Sequence, residues 1–563
     1  MKNVSRRSFV LSSAATAAMA ATSTGAFADE AATHPAPLTA ETLDSTWAFE
    51  IAPDPIDEVA ITKTITADVI VLGAGTSGLV TAVSAREEGL SVVVATASSK
   101  PISRGGSNHA VYSKEMARQG VEPESLECLE KEIVANYGSV DTLKWHVFYQ
   151  NSEQAMNWLI GIMEEAGYTT GLEVSSEMSP TSIYYQHPCS HGWYLDPQHD
   201  SIGMTQPYVV DTLAKKLVED GGSIFYNSIG RQLEKDESGR VTAVLCEKAD
   251  GSFTRFIGTK AVVLATGDFS ADRDMIARYC PMVANRIADE VYDTVDYDKE
   301  FVFGGLYHGD GQKMGLWAGA AWQRTYPNAP MGGTTTYAGP NCRPYANYWG
   351  LLVNRDGNRF MNEYTSSVIG GYTQALQPGS TSIAIWDSAY AKHPNFNSAQ
   401  GTLGLVVPLT PEEILKTWEE NAEGGTYVKA DTLEELVEMI GLPVDQTLAT
   451  IARYNDLCLS GADVDFGKTA DELYTIAEAP SFAHIATLET GMPVLTVMGG
   501  LRTNSEMQVC DADDVPLPGL YNVGTMVGDF YAGAYTFQEE GINYGACCIT
   551  FGYLVGKHVA RDE

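Results

Sequence analysis

The chain has 563 residues, of which 44% are hydrophobic and 19% charged, enough to bury a large core across three or four folding units and to exclude disorder, collagen or a coiled coil as the main architecture. Its 36 Lys and Arg against 72 Asp and Glu give a formal net charge of -36, so the surface field repels phosphate backbones and anionic lipid and argues against nucleic acid as a partner. The nine cysteines never form a CxxC, a CxxCH or a zinc-ligand spacing, which leaves iron–sulfur, c-type haem and metal sites in general without a signal.

In chain order, Ser5-Arg6-Arg7-Ser8-Phe9-Val10-Leu11 precedes an Ala/Ser/Thr-rich stretch and the small-x-small pattern Ala26-Phe27-Ala28. Residues 1–28 therefore read as a twin-arginine export signal. That route carries proteins already folded, which suits a chain whose cofactor is inserted before export, and it predicts a mature protein in the periplasm or on the outer face of a cell envelope. Residues 29–60, with Pro35, Pro37, Pro53 and Pro55, read as a linker. No later stretch reaches the roughly 18 consecutive apolar residues of a transmembrane segment.

Ala67 to Leu72 is a short apolar run suited to a buried parallel strand. Gly73-Ala74-Gly75-Thr76-Ser77-Gly78 follows, then a helical pattern from Leu79 to Gly89 and a second strand from Ser91 to Ala95. A GxGxxG set between two strands at this spacing marks a dinucleotide site. Gly73 permits the tight turn, Gly75 lets the backbone approach a pyrophosphate, and Gly78 lets helix and strand pack closely. The acid expected about 20 residues on falls at Thr96, whose hydroxyl must hold the ribose in place of a carboxylate.

Four later segments carry a family resemblance. Val262 to Phe269 resembles the LATGGF strand-turn of the fumarate reductase/succinate dehydrogenase flavoprotein superfamily. Gly309 to Ala320 is similar to its GDGxxMAxxAGA helix, Leu352 to Glu363 to its VNxxGxRFxNE block, and Pro518 to Gly524 to its PGLYxxGE return. The resemblance implies an α/β fold: a discontinuous, Rossmann-like FAD-binding domain of the GR2 type over 61–324 and 485–563, with an inserted α+β capping domain over 325–484. It implies FAD contacts at Gly73, Gly75, Thr76, Ser77, Gly78, Thr96, Gly105, Gly106, Ser107, Asn108, Ala265, Thr266, Gly267, Gly524, Asp529 and Asn543. Ser103 to Asn108 resembles the small-residue loop against the isoalloxazine ring. Thr525 and Asp268 replace a glutamate and a glycine of the family pattern.

The family's dicarboxylate contacts are missing. Its proton-donating arginine falls at Ser367, its substrate histidine falls in Val494 to Gly500 at Thr496, and its late arginine has no counterpart, because no Arg lies between Arg502 and Arg561. Fumarate or succinate is therefore not the expected substrate. Gly528 to Tyr553 is similar instead to the tyrosine-bearing C-terminal segment of 3-ketosteroid dehydrogenases and enone or enoate reductases. Tyr535, Tyr531, Arg343 and Tyr345 are the candidate catalytic groups, since a phenol can polarise a carbonyl or donate a proton beside it. Tyr337, Tyr348, Glu363, Ser367 and Thr496 are the candidate substrate contacts. The expectation is an exported FAD-dependent reductase that acts on a small unsaturated substrate, an enone or aromatic enoate, and draws electrons from a separate donor such as a cytochrome at the membrane. The alternative is a 3-ketosteroid-type dehydrogenase running in the oxidative direction. His187, His191, His199 and Cys189 read as an entrance loop, and Glu412-Glu413, Glu419-Glu420 and Glu434-Glu435 as solvated helix faces.

Overall fold

A computed structural model describes residues 46–561 except 174–186, 198–199, 201, 288, 300–306, 333–349, 365–366, 393–409, 488–493 and 537–538. Residues 1–28, expected to be an export signal, and most of the expected linker lie outside these residues.

The first body is built on five parallel strands in the order Pro516–Asn522, Phe253–Leu264, Ile61–Leu72, Val92–Ala95, Ser223–Phe225. Val69 to Leu72 and Ala261 to Leu264 are buried, as strands covered on both faces must be, and neither run alternates with polar residues. The twelve-residue strand Phe253–Leu264 is shared by two neighbours on one side. Its first half pairs with the antiparallel hairpin Ile229–Lys235/Val241–Glu247, and its last three residues pair with Pro516–Asn522. The sheet is thus assembled from segments some 250 positions apart in the sequence. The C-terminal helix Phe551–Arg561 closes it by packing on helix Thr76–Glu87, where Ser84 Oγ donates to Tyr553 O at 2.8 Å. A Cβ on Gly556 would stand 2.7 Å from Ala85 N, so only glycine allows that approach.

The second body, residues 351–486, carries its own antiparallel sheet in the order Leu351–Val353, Ser382–Asp387, Ser481–Ala486, Val428–Ala430. Its core is aromatic: Trp386 stacks on Phe482 and meets Trp418 edge-on. Glu412 and Glu413 lie in the first turn of helix Pro411–Glu423, where Thr410 and Glu413 form a reciprocal cap, and Glu434 and Glu435 lie in the first turn of helix Leu433–Met439, where the Thr432 side chain accepts from Glu435 N. The chain crosses between the bodies on two adjacent antiparallel strands, Ala329–Gly332 and Val494–Met498. No described helix is long and apolar enough to cross a membrane.

Candidate functional site

The five parallel strands end together, and the glycine turn sits at that end. Gly73 has φ +117°, and a Cβ there would lie 2.2 Å from Ala265 O; one on Gly78 would lie 2.1 Å from Gly73 O. Gly75 is different. A Cβ there would find nothing nearer than Ile102 O at 3.4 Å, and Gly75 heads the helix with no side-chain cap over its first N–H groups. Two glycines are therefore required by the protein, and the third leaves an open helix N-terminus for an anion. Gly524 (φ +85°) closes on the same terminus, 2.6 Å from Ser77 Oγ by the position of its absent Cβ. Ser98 Oγ donates to Lys100 O, so it accepts from Thr96 Oγ1 at 2.9 Å and leaves the Thr96 lone pairs for a ribose hydroxyl.

The loop after the second strand is tied to this turn by side chains. Asn108 Nδ2 donates to Gln206 Oε1 at 2.9 Å, Gln206 Nε2 donates to Thr76 Oγ1 at 2.9 Å, and Thr76 Oγ1 meets Ser103 Oγ at 2.9 Å. Tyr544 OH reaches both Ser103 Oγ and Arg104 O. Gly106 packs on Gly203, and Ser107, at φ +60°, presses on Gly541, where a Cβ would meet Ser107 O at 2.2 Å. Gly105 (φ +73°) stands beside Gly106 in a left-handed turn. Two buried acceptors here, Asn108 Oδ1 and Asn543 Oδ1, have no partner among the described residues. With the open helix terminus they fit FAD, one end receiving pyrophosphate and the other the polar edge of a ring. Asn543 also begins an eight-residue π-helix, Asn543–Thr550, that holds Cys547 and Cys548 in the interior.

Ala265, Thr266 and Gly267 lie where Phe253–Leu264 meets the glycine turn. Thr266 Oγ1 accepts from Gly311 N at 3.1 Å, and Gly267 O accepts from Gln312 Nε2 at 2.9 Å. The neighbouring Asp268 is buried and accepts from Ser270 N and Oγ, Val497 N and, at 2.7 Å, Thr496 Oγ1. Thr496 was expected at the substrate; its hydroxyl is instead turned into this carboxylate. Arg104, which the sequence reading passed over, brings its guanidinium to 3.6 Å from Asp268 at 10% exposure.

Tyr531 and Tyr535 lie together, ring centroids 4.8 Å apart. Tyr531 stands edge-on to Trp145, and Trp145 stacks on Phe530 at 4.3 Å. The Tyr531 hydroxyl is buried with no partner among the described residues. The Tyr535 hydroxyl accepts from the backbone N–H of Asn543; burial and the nearby Glu132 carboxylate nevertheless push it well above its usual range, so it stays protonated. Its phenol is therefore a neutral donor in an aromatic wall.

Two other candidate residues have internal partners. Glu363 is fully buried in the second body, bound in bidentate fashion by Arg359 at 2.8 Å and lying 3.7 Å from Lys468 Nζ, while Arg359 also grips Asp463. Asp529 Oδ1 accepts from Arg324 N and Thr325 N, both at 2.9 Å, which ties it to the start of the crossover. Tyr337, Arg343, Tyr345 and Tyr348 lie outside the described residues, as does His199. Ser367 opens helix Ser367–Ala375, and its side chain is likewise outside them. His191 belongs to a small sheet, paired with Asn108 on strand Ser190–Tyr194, and not to an entrance loop. Burial drives it down to about 4 and keeps it neutral; Nδ1 donates to Asn108 O and Nε2 accepts from Ser113 Oγ.

The residues that hold the tyrosine segment, Glu132, Asn136 and Lys144, were not foreseen. Glu132 and Asn136 share a helix face with Leu129 at spacings of three and seven, an acid and an amide on an apolar stripe, which was the available signal.

The model of the FAD binding domain family FAD_binding_2 matches residues 68–541. The chain is 24% identical over 510 residues to the probable fumarate reductase Ifc3 of Shewanella frigidimarina, covering 88% of this chain and 75% of that protein. It is 24% identical over 522 residues to a vinyl phenol reductase of Lactiplantibacillus plantarum, covering 88% and 95%. A solved 3-ketosteroid-Δ4-(5α)-dehydrogenase from Rhodococcus jostii superposes with TM-score 0.69 at 20% identity, over 90% of this chain and 100% of that one. The glycine cradle, the unpartnered acceptors beside it and this match agree: the chain belongs to the FAD binding domain family and is an FAD-dependent oxidoreductase.

Proposed function

We propose that this protein reduces an activated C=C bond of a small, largely apolar or aromatic enone or enoate, with Tyr535 as the proton donor. The observation that carries the reading is the Tyr535 phenol, 3% exposed, kept protonated by burial and the nearby Glu132 carboxylate. FAD, when reduced, supplies two electrons as a hydride to one carbon of the double bond. Tyr535 places its proton on the other carbon and regains one from solvent, so the alkene takes up H⁻ and H⁺ and becomes the saturated product. Tyr531, Trp145 and Phe530 line the donor with apolar surface that excludes water and suits a flat substrate. The vinyl phenol reductase among the relatives supports a phenyl-bearing substrate.

The second body would close over the ring as a cap. The export signal and the net charge of -36 fit a periplasmic enzyme fed by a separate, basic electron-transfer protein such as a cytochrome, drawn in by long-range attraction. The same phenol can serve the reverse reaction on a ketosteroid-like substrate, which the 3-oxosteroid 1-dehydrogenase of Mycolicibacterium smegmatis, 28% identical over 358 residues, keeps as the second reading.

An anaerobic titration separates the two. Reoxidation of the dithionite-reduced holoenzyme by cinnamate, 4-vinylphenol or cyclohexenone supports the reductase; bleaching of the oxidised flavin by a saturated 3-ketosteroid supports the dehydrogenase. Fast reoxidation by fumarate alone would refute both. Within the reductase reading, Tyr535→Phe should slow turnover by about 10²-fold or more.

A further inference from the structure

Residues 528–536, which carry both tyrosines, form neither helix nor strand, so the phenol owes its place to whatever grips this segment. Backbone partners hold part of it, Gly533 N donating to Pro327 O and Tyr535 N to Pro330 O; the side-chain grips on it among the described residues come from one stretch of chain, residues 132–145. Lys144 Nζ donates to Gly528 O, Asp141 N to Asp529 O and Trp145 Nε1 to Phe530 O, each at 2.8 Å. Beyond Tyr531 the anchoring passes to the last turn of helix Leu126–Ala135. Asn136 Oδ1 accepts from Ala532 N at 2.8 Å, while its Nδ2 is locked onto Glu132 O at 2.9 Å. Glu132 then bridges the far side: Oε2 accepts from Thr536 Oγ1 at 2.5 Å and Oε1 from Glu539 N at 2.8 Å. Tyr535 lies between these attachment points.

Glu132 and Asn136 are fully buried. A carboxylate is an expensive group to bury, and an apolar residue on this helix face would pack at less cost. What the carboxylate offers is two rigidly coupled acceptors, able to hold a hydroxyl and an amide three residues apart at a fixed separation. Its charge also faces the Tyr535 phenol and favours the protonated form.

We propose that Glu132, seconded by Asn136, is the positioning residue of Tyr535: a two-point carboxylate clamp that holds the proton donor at the substrate face of the ring. The inference rests on the assignment of Tyr535 as the acid. It predicts that Glu132 acts on turnover only through that phenol.

The test is a double-mutant cycle on the flavin-loaded enzyme, read as the rate at which cinnamate or 4-vinylphenol, whichever wild type reduces faster, reoxidises the reduced flavin. Glu132→Ala should lower the limiting rate about 30-fold or more with the half-saturating acceptor concentration within about threefold, because a misplacement near 1 Å costs on the order of 10² in rate. Glu132→Gln keeps an acceptor for Glu539 N–H and turns a donor to the Thr536 hydroxyl, and should stay within about threefold of wild type. In a Tyr535→Phe background, Glu132→Ala should change the rate by less than about twofold. Equal losses in both backgrounds, a Gln variant as slow as Ala, or a wild-type rate for Glu132→Ala would each overturn the clamp. Should Glu132→Ala fail to retain flavin, Thr536→Val and Asn136→Ala remove one attachment each and run through the same cycle. A wild-type rate for Tyr535→Phe overturns the acid assignment instead. Amide hydrogen exchange then judges the clamp alone: faster exchange confined to Glu539 in Glu132→Ala and to Ala532 in Asn136→Ala supports it, and a uniform rise across the fold refutes it.

Discussion

The glycine turn at residues 73–78 and the tyrosine segment at 528–536 are held by opposite means. The turn is fixed by local backbone sterics: a strand ends, two glycines pass within 2.2 Å of carbonyl oxygens by the measure of an added Cβ, and a helix begins. The tyrosine segment has no local structure, and it is held by side chains nearly 400 positions earlier in the sequence. Local sterics tolerate no substitution and leave a motif. Remote anchoring tolerates any sequence that presents the right donors and acceptors, and leaves almost none.

The sharpest break in this contrast is Gly78→Ala. Its Cβ would fall 2.1 Å from the backbone oxygen of Gly73 and 3.2 Å from Ala265 Cβ, so the protein should purify without flavin, its visible absorbance per protein at least about tenfold below wild type. Next comes the second body, where a charge cluster replaces both devices. Glu363→Gln leaves Arg359 and Lys468 with less than their matching charge in the interior and should cost about 3–5 kcal/mol in denaturant unfolding, with the rate per bound flavin unchanged; a selective loss of rate would return Glu363 to the substrate.

Smaller in effect is the His191 test of the loop beneath the ring. Its folded pKa of about 4 lies below the ordinary 6.5, so between those values the unfolded state binds a proton that the folded state does not. Stability from this group is complete above pH 6.5 and falls as the pH drops towards 4, by up to about 3 kcal/mol. His191→Gln should flatten that part of the stability–pH curve, and an unaltered slope would show that another group carries it. Smallest is Thr96→Val, which removes the ribose acceptor and should weaken FAD binding roughly tenfold, measured by flavin fluorescence on dilution.

The parallel sheet, the dinucleotide turn and the return of the C-terminal strand were legible in the sequence because each obeys a spacing rule that packing enforces. Tyr531 and Tyr535 were legible as a resemblance, and their company in Trp145 and Phe530 follows from burial. The partners of Thr496 and Glu363 were not legible. Each occupies a position where the family pattern suggests a ligand, and each has an internal partner, Asp268 for one and Arg359 for the other. Polar residues are exchanged between structural and functional duty by a single distant substitution, and one sequence does not disclose the partner. Asp268 shows the reverse side of this: a lost glycine looked like a defect in flavin contact, yet its carboxylate gathers Ser270, Thr496 and Val497 into one buried network.

Pro330 O accepts the Tyr535 backbone N–H at 3.3 Å and the hydroxyl of Tyr372, on helix Ser367–Ala375, at 3.1 Å. A carbonyl has two lone pairs, and here one serves each lobe of the molecule. The crossover strand is therefore more than a tether: one peptide oxygen joins the outer lobe's Tyr372 to the main chain of Tyr535, so a displacement on either side is felt on the other.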